Sequence, residues 1–229
     1  MYCTTEVYIV QLFKIFYTRI SYHVCEDIFM NNKIIAISGM DASGKSTLSL
    51  QIQKELESRN IPYIVTKQPC KSIREWTCFN ELLKNESEDF DFKTVGGLIS
   101  WGRLNTQIRE IIPALEAGYY VLCERYILDI AAWSRFRGAK DSWIEEWTAA
   151  LLRADVSILC DAEPELVWDR IRERKEGKKI GENSLENISR IIGIYRDEAK
   201  KNNSVIFDSS RDVEEVKKWA HDLIEEMIS

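Results

Sequence analysis

The chain has 229 residues, of which 45% are hydrophobic and 30% charged, a composition typical of one globular domain or at most two small ones. Lysine and arginine number 31 against 37 aspartates and glutamates, which gives a net charge of −6. This acidic balance disfavours general nucleic-acid binding, because that function needs a basic surface.

Residues 1–29 differ in composition from the rest of the chain. They contain four of the nine tyrosines but no glycine, proline or tryptophan. Their apolar stretch over 7–17 includes Gln11 and Lys14, so it is too short and too polar to span a membrane. Two interpretations stay open. The segment is either an amphipathic extension packed on the domain, or upstream sequence that precedes a natural start at Met30.

From residue 33 onward, predicted strands and helices alternate. Short apolar runs predict strands over 33–38, 62–66, 119–123, 156–160 and 205–207. Helical spacing predicts helices over 46–59, 105–117, 165–175 and 185–201, with a kink at Pro113. A last helix is predicted to start at Asp212, where Glu215 completes a capping box. We therefore expect an α/β domain over 30–229, built on an open five-stranded parallel sheet with helices on both faces.

The cysteines and histidines do not indicate a fold stabilised by disulfides or by a bound metal. None of the six cysteines lies in a C-x-x-C pair, and the chain has only two histidines. A disulfide framework and a zinc site are therefore not expected. No uncharged apolar stretch approaches the roughly 18 residues that a membrane-spanning helix needs. We expect a cytoplasmic protein with reduced thiols.

The most specific motif is the segment Gly-Met-Asp-Ala-Ser-Gly-Lys-Ser over residues 39–46. It matches the phosphate-binding loop G-x-x-x-x-G-K-[ST], and it lies between a predicted strand and a predicted helix, as that motif requires. Its backbone N–H groups and the helix N-terminus attract a phosphate, the lysine reaches the β- and γ-phosphates, and the serine binds Mg²⁺. The candidate nucleotide-binding residues are Gly39, Asp41, Ala42, Ser43, Gly44, Lys45, Ser46 and Thr47.

A second motif follows the strand predicted over 119–123. Glu124, Arg125 and Tyr126 come at the carboxyl end of that strand, where open parallel sheets bind their ligands. Glu124 can hold Mg²⁺ through water, and Arg125 can grip a phosphate with two hydrogen bonds. No N-K-x-D motif for reading guanine is present, which disfavours a GTPase.

From about Lys33 to the C-terminus, the sequence resembles the thymidylate kinase family of nucleoside monophosphate kinases. The matching segments are Gly39–Ser46, Arg103, Glu124–Tyr126, Asp161–Glu165 and the arginines 170, 172 and 174. The resemblance implies a P-loop kinase fold, ATP with Mg²⁺ as the donor, dTMP as the acceptor, and a cytoplasmic homodimer. The residues that it assigns to the acceptor are Asp41 at the 3′-hydroxyl, Arg103 at the base, Trp133 under the sugar, and Arg125 with Arg74 or Lys67 at the phosphate.

Residues 170–179 are strongly basic, with six cations and two anions. These charges could simply form the solvated face of a helix. They could instead belong to a lid over the nucleotides at about 170–184, because phosphoryl transfer depends on neutralising charge. Arg170 and Arg174 share one helix face and Arg172 points elsewhere. The phosphate loop contains no arginine, as in family members that take their catalytic arginine from the lid. We favour Arg174 over Arg170 for that role.

The departures from the family's pattern concern the acceptor base. Gln68 replaces a glutamate, Ile99 a base-stacking phenylalanine, Asp129 a serine and Ser134 a glutamine. If Arg103 and Asp129 both point inward, we expect them to pair. Asp129 would then extend the acceptor range toward a base with an amino group, as in dCMP, or would only orient Arg103 toward thymine.

Two other functions are compatible with a phosphate loop. A deoxynucleoside kinase also begins its motif with Glu-Arg, but its neutral hydroxyl acceptor needs a general base, and Gln68 stands where that glutamate would lie. A catalytically inactive nucleotide-binding regulator is the other alternative. It is disfavoured because Lys45, Ser46, Glu124 and Arg125 are all present.

Overall fold

The computed structural model describes residues 33–76, 92–174 and 181–229. Its strands are β1 Ile34–Ser38, β2 Tyr63–Lys67, β3 Tyr120–Glu124, β4 Val156–Asp161 and β5 Val205–Asp208. They form one sheet in the order β2-β3-β1-β4-β5, and every neighbouring pair is parallel. The predicted five-stranded parallel sheet is confirmed. Each strand begins and ends within one residue of its predicted limits.

Helices connect these strands along the chain, and a last helix follows β5. They are α1 Lys45–Ser58, α2 Lys71–Arg74, α3 Phe92–Thr106, α4 Ile112–Glu116, α5 Ile127–Phe136, α6 Asp141–Thr148, α7 Pro164–Glu173, α8 Leu185–Lys201 and α9 Val213–Ile228. A π-helical segment, Gln107–Ile111, joins α3 to α4. Asp212 caps α9 through a hydrogen bond from the Glu215 N–H, and the Glu215 side chain bonds back, as predicted.

Three expectations about helices need correction. The helix predicted over 105–117 begins at Phe92, and its irregularity is the π-helical segment that ends two residues before Pro113. The helix predicted over 165–175 ends at Glu173, because Arg174 adopts an extended backbone with ψ 146°. Helices α5 and α6 were not predicted at all.

Helices cover both faces of the sheet, which explains why β1 is buried throughout and apolar except for Ser38 at its end. Ile35 and Ile37 pack in one cluster with residues of α1 and α9. Ile34 and Ala36 point to the opposite face and pack with residues of the π-helical segment and α4. A third cluster joins α5, α7 and α8 beside the end of β4. Alternation along a strand therefore buries every residue of β1.

The connections of the sheet place a crevice at its centre. From β1 the chain proceeds toward β2 on one side, whereas from β3 it proceeds to β4 on the other. Adjacent strands whose connections diverge leave a crevice at their carboxyl ends, where open α/β sheets bind ligands. The phosphate loop follows β1, and the Glu-Arg-Tyr triplet begins at the last residue of β3, so the fold brings both motifs to this crevice.

Two further expectations concern the whole chain. The N-terminal extension at 1–29 and the start at Met30 lie outside the described residues, so that boundary stays a prediction. Among the parts of the chain that the structure describes, none of the helices combines the length and apolar character that a membrane crossing requires.

Candidate active site

A cavity of about 860 Å³ opens at the carboxyl ends of the strands, a volume suited to small-molecule ligands. It gathers all but two of the predicted site residues. The lining includes Asp41, Ala42, Gly44, Lys45, Ser46, Thr47, Arg74, Arg103, Glu124, Arg125, Asp129, Trp133, Arg170 and Arg174. Gly39 and Ser43 are not part of the lining; they shape the loop beneath it. Residues far apart in the sequence thus meet in one space.

The phosphate loop is tightly curled between β1 and α1. A Cβ atom on Gly39 would lie 2.6 Å from the carbonyl oxygen of Cys160, and φ at this residue is +143°, so only glycine fits. Ala42 and Gly44 also adopt positive φ, and the Ser43 N–H closes the turn onto Met40 O at 3.1 Å. Lys45 is 8% exposed, and its ammonium donates to Met40 O at 2.6 Å. The lysine is thereby held over the loop, next to α1's N-terminus.

Arg125 links the two motifs. It has a left-handed backbone, with φ +67°, which turns its side chain back toward the phosphate loop. Its guanidinium pairs with Asp41 of that loop through Nη2, and Nη1 lies 3.1 Å from Oδ1 of Asp129. Asp129 therefore pairs with Arg125. The expectation that it would pair with Arg103 is wrong.

Arg103 is buried in the cavity wall, and no carboxylate of the described segments is in contact with it. It is 4% exposed, and within the described residues its Nε and Nη1 atoms have no hydrogen-bond partner. Burial lowers the pKa of its guanidinium to about 10, although the negative charge of Asp129 acts in the other direction and raises it. A buried guanidinium without partners is costly unless a ligand supplies acceptors. This side chain therefore indicates that an acceptor atom binds at this end of the cavity.

The other positions that depart from the family's pattern lie at the same end. Ile99 and Ser134 line the cavity with Trp133, whose ring packs edge-on against Phe136 at a centroid distance of 5.9 Å. Gln68 is 1% exposed; its Nε2 donates to Thr66 Oγ1 at 3.1 Å, whereas its Oε1 has no partner within the described residues. Apolar side chains thus line this cavity together with charged and polar ones, among them Arg74, Arg103 and Arg137.

The basic lid separates into three arginines with different surroundings. Arg170 donates to Ala42 O at 3.2 Å and to Ser209 O at 3.4 Å. Arg174 pairs with the buried Glu182 and approaches Asp41 at 3.8 Å. Arg172 is exposed, 5.9 Å from the Trp168 ring. Two of the three face the cavity, in agreement with the spacing argument. Residues 175–180 of the predicted lid lie outside the described part.

The candidate metal ligands are Ser46 and Glu124. Both line the cavity, and the Glu124 carboxylate at the end of β3 lies 3.8 Å from Lys67 Nζ. No cluster of three or more His, Cys, Asp or Glu side chains suited to a metal occurs within residues 33–76, 92–174 and 181–229. Mg²⁺ does not require one, because it keeps several waters and binds one or two protein oxygens plus substrate phosphates. A hydroxyl and a carboxylate beside a phosphate loop fit this ion.

Sequence reasoning missed the residues that follow β5. Ser209 donates its N–H to Asp161 O at 2.8 Å, and its Cβ lies 3.2 Å from where a Cβ on Gly44 would stand. Arg211 and Val213 continue the cavity lining on this side of the phosphate loop. The available signal was topological, since the fifth strand of a parallel sheet ends at the same edge as the first.

Comparison with known proteins agrees with this geometry. The chain is similar to a probable thymidylate kinase of Archaeoglobus fulgidus, with 28% identity over 86% of this chain and 96% of the relative. It is also 27% identical to the thymidylate kinase of Geobacillus thermodenitrificans, over 82% of this chain and 87% of that one. A family model described as thymidylate kinase matches residues 37–219. The chain, a nucleoside monophosphate kinase, therefore belongs to the thymidylate kinase family.

Proposed function

We propose that this chain transfers the γ-phosphoryl group of ATP to dTMP, giving ADP and dTDP. One observation supports the proposal above the others: a single cavity joins a phosphate loop to a buried arginine, two of whose nitrogen atoms have no acceptor among the described residues. The loop suits the donor's phosphates, and Arg103 suits a carbonyl oxygen of the acceptor base. The relatives named above are described as thymidylate kinases, and the chain covers most of their length.

The donor occupies the side of the cavity at β1 and β5. Lys45 and the loop amides hold its phosphates, and its base and sugar extend toward Ser209, Arg211 and Val213. Ser46 and, through water, Glu124 hold Mg²⁺. When bound, this ion neutralises charge on the transferring phosphates and orients them.

The acceptor occupies the opposite side. Arg125 holds its phosphate, assisted by Lys67 or Arg74, and Asp41 receives the 3′-hydroxyl. Trp133 lies against the sugar, while Arg103 donates to a carbonyl oxygen of thymine. The Asp129 carboxylate pairs with Arg125. It is therefore not available to accept a hydrogen bond from the amino group of a base. We therefore expect a base with carbonyl oxygens.

The chemistry requires positioning more than proton transfer. An acceptor phosphate oxygen attacks the γ-phosphorus, a new P–O bond forms, and the bond to the β-phosphate oxygen breaks with its electrons leaving on ADP. Because the nucleophile is already an anion, no general base is needed. This suits the neutral amide of Gln68. Arg174, near Asp41 between the two phosphate sites, stabilises the charge of the transferring group.

We also propose that the protein is a homodimer. Trp101 of α3 and Ile108 of the π-helical segment are each 51% exposed. Exposed apolar side chains that form one contiguous patch mark protein–protein contacts, and these two residues lie on one continuous helical segment. Sedimentation equilibrium of the natural protein and of Trp101→Glu would test this. Dissociation of the variant is the expected result.

The function is tested by ADP production from ATP-Mg²⁺ with dTMP, dUMP, dCMP, dGMP and thymidine. We expect dTMP to have the highest kcat/KM, with dCMP lower by about 10³ because a site built for a carbonyl leaves its donors unpaired with an amino group. Asp129→Ser should not alter that ratio. Turnover of thymidine above that of dTMP would instead indicate a deoxynucleoside kinase. Nucleotide binding without turnover of any acceptor would indicate a regulator.

A further inference from the structure

Arg125 is fixed by two carboxylates from different elements. Nη2 pairs with Asp41 in the phosphate loop, and Nη1 lies 3.1 Å from Oδ1 of Asp129 on α5. A free arginine side chain samples many rotamers, and binding a ligand with it costs the entropy of ordering it. One carboxylate on each Nη sets the plane of the guanidinium in advance and leaves its other N–H donors for a phosphate.

Asp129 is itself held firmly. Its side chain is 2% exposed, and three donors reach its carboxylate. The Tyr126 N–H donates to Oδ2 at 3.0 Å, while the Tyr195 hydroxyl, at 2.7 Å, and Arg125 both donate to Oδ1. Buried carboxylates are tolerated when paired and hydrogen-bonded in this way. With so little of its surface accessible, Asp129 is better placed to orient Arg125 than to read a base.

Tyr195 anchors this arrangement from α8. It is 1% exposed, and burial raises the pKa of its hydroxyl well above the ordinary value. The hydroxyl therefore stays protonated and donates to Asp129 at any physiological pH. Its position in the hydrophobic cluster of α5, α7 and α8 fixes the hydroxyl relative to the end of β3.

We propose that Tyr195 and Asp129 are positioning residues for the acceptor phosphate. Tyr195 holds Asp129, and Asp129 holds Arg125 in the orientation that grips a nucleoside 5′-monophosphate. The inference rests on the proposed function, because it takes the acceptor phosphate as the ligand of Arg125. It also explains why a carboxylate stands where the resembling family has a serine, since a serine is shorter and carries no charge for the guanidinium.

The test compares Tyr195→Phe and Asp129→Asn with the natural protein. Affinities for dTMP and thymidine, measured by calorimetry, isolate the contribution of the phosphate. We expect dTMP affinity to fall about tenfold in each variant, which corresponds to about 1.4 kcal/mol. Thymidine affinity and the KM for ATP should change less than about twofold. The double variant should be no worse than Asp129→Asn, because both changes act through one carboxylate.

Glu198→Gln is the matched control. Glu198 is a buried residue of α8 that pairs with Arg135 of α5, so the change disturbs the contact between the same two helices away from Arg125. We expect it to leave the ratio of dTMP to thymidine affinity unchanged.

Three results would overturn the inference. The first is that both variants bind dTMP as tightly as the natural protein does. The second is that dTMP and thymidine lose affinity by the same factor. The third is that Glu198→Gln lowers the ratio of dTMP to thymidine affinity as much as the two variants do. If Tyr195→Phe does not fold, Asp129→Asn alone decides between these outcomes, because it retains the shape of the side chain. A natural protein that binds dTMP but never phosphorylates it would refute the proposed function while leaving the binding comparison valid.

Discussion

Arg103→Met is expected to make the nucleotide-free protein more stable while removing acceptor recognition. Burial lowers the pKa of Arg103 from the ordinary value of an arginine to about 10. Each pKa unit corresponds to about 1.4 kcal/mol, so burying the charged guanidinium in the folded protein costs about 3 kcal/mol. Methionine fills a comparable volume without charge, so we expect a gain in the free energy of unfolding of up to about 3 kcal/mol.

The pH at which this difference is measured follows from the sign of the shift. The folded-state pKa is lower than the unfolded-state pKa, so the unfolded chain binds the proton more tightly. The cost is therefore present in full below about pH 10 and fades as the pH rises from there toward the ordinary pKa of an arginine. A buffer near pH 7.5 reports all of it.

Urea and thermal unfolding without nucleotide measure the stability change. For a chain of this size, about 3 kcal/mol corresponds to a rise in Tm of roughly 6–12 °C. The kcat/KM for dTMP should fall by about 10² or more, with the KM for ATP near its natural value. Arg109→Met, an exposed arginine in the π-helical segment that continues α3, is the control and should change neither quantity. An Arg103→Met variant that is less stable than the natural protein would refute the argument that the guanidinium lacks compensating partners.

The remaining predictions concern the phosphate loop, the N-terminal segment and the thiols. Lys45→Ala should retain the natural Tm within a few degrees but lower kcat by about 10² or more, because it removes a charge at the transferring phosphate; natural turnover would contradict the loop's role. A chain that begins at Met30 should be folded and active by circular dichroism and ADP production, and an insoluble product would show that residues 1–29 complete the core. Burial raises the pKa values of Cys123 and Cys160 to about 12, so at pH 8 they should resist alkylation in peptide mass maps while the partly exposed Cys70 reacts; equal labelling of all three would contradict the buried placement.

The helices that the sequence did not predict have physical reasons for being hidden. Helix α5 buries Leu128, Ile130 and Ala131 on different sides, so it lacks the one-sided apolar stripe by which a surface helix is identified. The start of α3 contains glycines, which favour other structures. Gly96 is nevertheless favoured there, because a Cβ on it would collide with the ring of Trp147. Packing outweighs propensity in α3.

The phosphate-handling half of the site could be predicted because its determinants are local. The loop from Gly39 to Ser46 needs its spacing, a preceding strand and a following helix, and all three are visible along the chain. Glu124 and Arg125 immediately follow a strand whose apolar run is continuous. Since parallel strands align their carboxyl ends, the sequence alone brought these two motifs to one crevice.

The acceptor half depended on contacts between residues distant in the sequence. Asp129 and Tyr195 are 66 positions apart, and no spacing rule connects them. The sequence supplied Arg103 and Asp129 as charges of opposite sign, but the structure shows that the carboxylate faces Arg125, four residues earlier, and is held there by Tyr195 of α8. Arg103 is buried, and in the part of the chain that the structure describes its Nε and Nη1 atoms have no hydrogen-bond partner. The sequence thus determined the fold and the reaction class through local patterns, whereas the tertiary structure decided which charges are compensated and which await a ligand.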